Sequence, residues 1–169
     1  KARFVPVYFQ TADNPDFQKQ LTILRTLLDS EAEILEPVAL GSKLPVADGV
    51  IFPQMLGDAY RRLDQIKALP QPIMVVTSEF GTVSMWDWEI NQYLSSNGVS
   101  ILAPYNLEST LKACKAFALK KSLKTSKFLV FQDNPGEGFQ AEIFKRFYWW
   151  EKECVDRIAT QFGVTVDKR

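Results

Sequence analysis

Short apolar runs, each long enough only for a strand, alternate along this chain with segments in which apolar side chains recur every three or four positions, the spacing of a half-buried helix. Phe4 to Gln10 reads as a first strand, with Pro6 better suited to a strand start or a bulge than to a ladder interior. Phe17, Leu21, Leu24 and Leu28 then predict a helix from Pro15 to about Leu28, with Asn14 as its cap and Pro15 at its first position. Glu33 to Val38 is a second strand, and the link from Ala39 to Asp48, which holds Gly41 and Pro45 but no helical period, is expected to be a loop. Gly49 to Phe52 is a third strand stopped by Pro53, and Ala59, Leu63 and Ile66 mark a short helix before Pro70. Ile73 to Thr77 is a fourth strand, followed by a helix carrying Trp86, Ile90, Tyr93 and Leu94 that closes at Asn97 and Gly98. Val99 to Ala103 is a fifth, Asn106 caps a helix with Leu107, Leu111, Cys114 and Ala118 on one face, and Phe128 to Phe131 is a sixth.

Strands alternating with helices of this length predict an α/β protein: an open, mostly parallel sheet with helices on both faces, a flavodoxin/Rossmann-like three-layer sandwich. Residues 1–133 form its amino-terminal α/β domain. Residues 134–169 comprise a hinge, a long helix and the start of an incomplete second α/β domain. The break is the stretch DNPGEGF from Asp133 to Phe139. Beyond it, Ile143, Phe147, Trp150, Cys154 and Ile158 predict one helix face running from roughly Ala141 to Phe162, and Val164 to Val166 begins another strand.

Composition narrows the possible partners. The chain has 169 residues, 46% of them apolar and 24% charged, and its 20 Lys plus Arg balance 20 Asp plus Glu. That balance lacks the basic footprint of a nucleic-acid or anionic-membrane binder, and the cluster Lys120, Lys121, Lys124 and Lys127 reads as a solvated helix end and loop. No apolar run approaches the ~20 residues that span a bilayer. Cys114 and Cys154 fall in phase with apolar neighbours on different helices and read as buried small hydrophobes, which fits a reducing, cytoplasmic setting.

Histidine is absent, and no nucleophile has a base beside it. In a parallel sheet the strand ends open on one edge, where ligands sit. That edge would carry Gln10 with Thr11, Gln54 with Met55, Thr77 with Glu79, Tyr105, and Gln132 with Asp133. Amides, hydroxyls, one carboxylate and aromatic rings suit a neutral polyol such as a sugar and lack the Arg or Lys an anion would want. The bland alternative is that strand ends are polar because they meet water. Glu79 and Asp87 could do acid/base work only if a tight turn brought them to one cleft; a solvated acidic helix start accounts for Asp87 and Glu89 as well. Trp86 and Trp88 point about 200° apart on a helix, so one packs while the other is free to stack on a sugar face. The stretch Pro135 to Gly138 matches neither glycine-rich phosphate motif, and without His only carboxylates remain as metal ligands, none at a spacing to hold an ion alone. Candidate substrate-binding residues are therefore Gln10, Gln54, Thr77, Glu79 and Trp86, with no catalytic and no metal-binding residue assigned.

The succession DGVIFPQ, PIMVVTSEFG, WDWEINQYLSSNGVSI and SKFLVFQDNPGEGF, spread over roughly Asp48 to Asp133, resembles the amino-terminal region of the L-fucose and L-arabinose isomerase-like family. The resemblance rests on strand-end residues and their order, without an invariant signature. It implies the amino-terminal portion of an aldose–ketose isomerase, followed in the family by a second α/β domain and a β domain. A divalent metal, usually manganese, is held there by carboxylates and a histidine of the later domains, so no cofactor is expected in this chain. The family's amino-terminal domain lends loops to a neighbouring subunit's site in a homotrimer or hexamer. Here the matching loops would be those around Gln54 and from Glu79 to Trp86, contacting a monosaccharide substrate without activity of their own. One lobe of a periplasmic-type sugar receptor and a flavodoxin-like regulatory domain are the alternatives.

Overall fold

The computed structural model describes residues 1–53, 59–76, 85–131 and 151–169, with the side chains of 85–88 excepted. Its first compact unit, Lys1–Ala118, is an α/β sandwich. Strand β1 (Ala2–Tyr8) leads into α1 (Pro15–Leu28); β2 (Ala32–Ile34), β3 (Val38–Ala39) and β4 (Gly49–Phe52) follow. A 3-10 turn (Ala59–Arg62) then runs into α2 (Leu63–Lys67), and β5 (Ile73–Val75), α3 (Met85–Ser96), β6 (Ile101–Leu102) and α4 (Leu107–Leu123) complete the succession. All pairings are parallel, in the order β2-β1-β4-β5-β6 with β3 also on β1. Taking β2 and β3 as one interrupted strand, this is the doubly wound order 2-1-3-4-5.

The interruption has a physical cause. Pro6 lies inside β1, paired with Ile51 of β4, rather than at a strand start or bulge. The Asp48 amide donates to the Arg3 carbonyl on the β4 side, while Leu35 and Leu40 donate to Phe4 and Tyr8 on the other side. Peptide groups of successive residues point to opposite sides of a strand, so Pro6 belongs with Phe4 and Tyr8, and its missing N–H faces the gap between Ile34 and Val38. Pro37 stands in that gap, likewise without a donor. The predicted strand Glu33–Val38 is thus two short strands parted where both chains lack an N–H. The first strand is also earlier than expected, ending at Tyr8.

Alternation along the strands divides the core into two layers. Val5, Val7, Val50, Phe52, Ile73 and Val75 pack with Ile66, Leu69 and Leu94 of the α2–α3 side. Ala2, Phe4, Ile51 and Met74 pack with Leu24, Leu28, Cys114 and Phe117 of α1 and α4. The segment from Leu40 to Ala47 is the expected loop, and Leu40, Leu44 and Ala47 cover the first layer where a helix would otherwise lie. It turns at Gly41, whose φ of +89° suits glycine. Helix α1 has the predicted bounds, and Phe17, Leu21, Leu24 and Leu28 are its buried positions.

The second unit is Leu119–Arg169, so the division falls inside α4, ahead of position 133. Strand β7 (Lys127–Val130) does not extend the large sheet as a sixth strand, as the sequence suggested. It pairs in parallel with β8 (Thr165–Lys168), and α5 (Lys152–Phe162) precedes β8. Positions 141–150 of the predicted helix lie outside the described residues; α5 begins after Glu151, which is extended at φ −63° and ψ 160° and makes no side-chain capping bond. Gly163, at φ 73°, ends that helix in the left-handed conformation.

Candidate functional site

The doubly wound order determines where a ligand crevice can open. From β1 the chain crosses to α1 on one face of the sheet, and from β4 it passes to α2 on the other. The carboxyl ends of these adjacent strands are therefore the topological switch point, the edge where ligands of such sheets sit. Phe9, directly after β1, and Phe52, the last residue of β4, close the apolar layer below this point, their rings 5.0 Å apart at 80°. On the α1 side, Tyr8 meets Phe17 edge-on with centroids 5.8 Å apart. The polar loop from Gln10 to Asn14 thus rises from an aromatic base gripped on both faces of the sheet.

Gln10 and Thr11 are exposed at this edge, as a ligand-contacting pair must be. The start of α1 beside them disfavours anions. Pro15 has no N–H, the Phe17 amide donates to Asn14 Oδ1 at 3.0 Å, and the Gln18 amide donates to the Asn14 carbonyl at 3.0 Å. Gln18 Nε2 donates to the Ala12 carbonyl at 2.7 Å and ties down the loop. Asp13 flanks the cap, and Asp16 supplies the negative charge that a helix N-terminus favours. A phosphate approaching this helix would meet two carboxylates, with the Phe17 and Gln18 amides already engaged.

Of the predicted site residues, Gln10 is the one whose side chain is described. Gln54, Thr77 and Glu79 lie outside the described residues; Trp86 belongs to α3, with its side chain outside them. Asp87 of α3 is in the same position as Trp86. Tyr105 is exposed after β6, but three strand spacings of about 4.8 Å separate β6 from β1, some 14 Å across the edge. Gln132 and Asp133 lie outside the described residues; within the first unit the edge is formed by the ends of β1, β4, β5 and β6.

Each unit carries a hollow among its described residues. One of about 360 Å³ runs along the 3-10 turn and α2 from Tyr60 to Gln65; the other, about 500 Å³, follows the solvated side of α5. Among the described residues no three His, Cys, Asp or Glu side chains are grouped to hold a metal ion. No described helix is long and apolar enough to cross a membrane. Cys114 is fully buried on the inner face of α4, and burial, with the Glu31 carboxylate second, pushes its thiol up to about 11; it is a poor nucleophile at neutral pH.

The protein is thus an α/β three-layer sandwich with a polar switch-point edge. Neither a family model nor a curated protein matches its sequence.

Proposed function

We propose that this chain is the sugar-contacting α/β portion of an aldose–ketose isomerase-like enzyme, contributing polar loops to a site whose metal ligands and proton-shuttling carboxylates lie in other polypeptide. The observation that carries the reading is the switch-point edge itself, where the exposed amide of Gln10 stands beside a helix start flanked by Asp13 and Asp16, with the Phe17 and Gln18 amides already engaged by Asn14. Such an edge offers hydrogen bonds to hydroxyls and repels phosphates, the balance an uncharged polyol needs. Gln54 stands in the segment after β4, and Thr77 and Glu79 in the segment after β5; with Trp86 as a stacking surface they complete the set. A neighbouring subunit in a homo-oligomer supplies the rest of the site, as in the family the sequence resembles.

Calorimetry of the 169-residue chain against a panel of unphosphorylated aldoses, with inorganic phosphate and flavin mononucleotide as comparators, tests the proposal. Heat from an aldose and none from phosphate or flavin is the expected result. Flavin binding would replace it with a redox or regulatory module, and ketose formed by this chain alone with manganese would show that the catalytic groups lie within it.

A further inference from the structure

We draw no further inference here: the strongest candidate, the exposed apolar surface of β7 and its flank formed by Leu129 and Phe131 in the second unit, carries nothing because nothing in the structure shows what covers it.

Discussion

The ring of Phe117 on α4 stands edge-on against that of Phe4 on β1, centroids 5.0 Å apart at 74°, and both rest on the bare backbone of Gly49. A Cβ at Gly49 would come within 2.8 Å of Phe117 and 2.9 Å of Phe4. The glycine therefore sets how closely α4 approaches the sheet. Gly49→Ala is expected to cost roughly 2 kcal/mol through overpacking, and Phe117→Ala about 3 kcal/mol through the cavity it leaves. The double variant should lose less than the sum, because removing one ring makes room for the new methyl. Urea unfolding of the four proteins measures this; strict additivity would show that the two positions do not share that space.

The cap of α1 can be removed without touching the core. Asn14→Ala deletes the acceptor for the Phe17 amide and should destabilise the protein by about 1 kcal/mol, whereas Asn14→Asp or Asn14→Ser retains most of the stability. Denaturant midpoints distinguish these outcomes. Because Asn14 is the last residue of the switch-point loop, the Ala variant should also weaken aldose binding, while Asn14→Ser should largely restore it.

Stability should depend on pH through Cys114. Folding raises this thiol from 9.0 to about 11, so above pH 9 the unfolded chain gives up the proton before the native state does. The contribution is constant below pH 9 and is lost as pH climbs toward 11, with a slope of at most ~1.4 kcal/mol per pH unit. Lysines and tyrosines titrate in the same range, so the measurement is the difference between wild type and Cys114→Ala at each pH. A difference that stays flat from pH 8 to 11 would contradict the shift. The same burial predicts that alkylation of Cys114 at pH 8 proceeds only as fast as the protein opens.

Gly41 combines a positive φ with a close neighbour, Gln65 Nε2, which a Cβ would meet at 2.9 Å. Gly41→Ala should cost about 1–2 kcal/mol for the left-handed backbone. Adding Gln65→Ala removes the side-chain clash but leaves that backbone cost. Recovery of full wild-type melting temperature in the double variant would show that the backbone conformation is unstrained.

Gln10 tests the functional proposal most directly. Its side chain is exposed, so Gln10→Ala should leave the melting temperature unchanged while weakening aldose binding about tenfold, the loss of one good hydrogen bond. Gln54→Ala should act in the same direction. Unchanged affinity in both variants would remove this edge from the ligand site.

Local patterns determined a good deal of this protein. The bounds of α1, its cap at Asn14, the strand Gly49–Phe52 and the loop from Leu40 to Ala47 follow from side-chain spacing, capping chemistry and proline placement, which act within a few residues of chain. Tertiary pairing decided the rest. Phe128–Val130 reads as a strand whichever sheet receives it, and only its register with Thr165–Lys168 assigns it to a second sheet. Pro6 looked misplaced until the break at Pro37 came to lie opposite its missing donor. The makeup of the polar strand-end rim was decided in the same way: which strands are neighbours, and hence which loops share an edge, depends on hydrogen bonds between residues far apart in the chain, and periodicity along one segment carries no information about its partner.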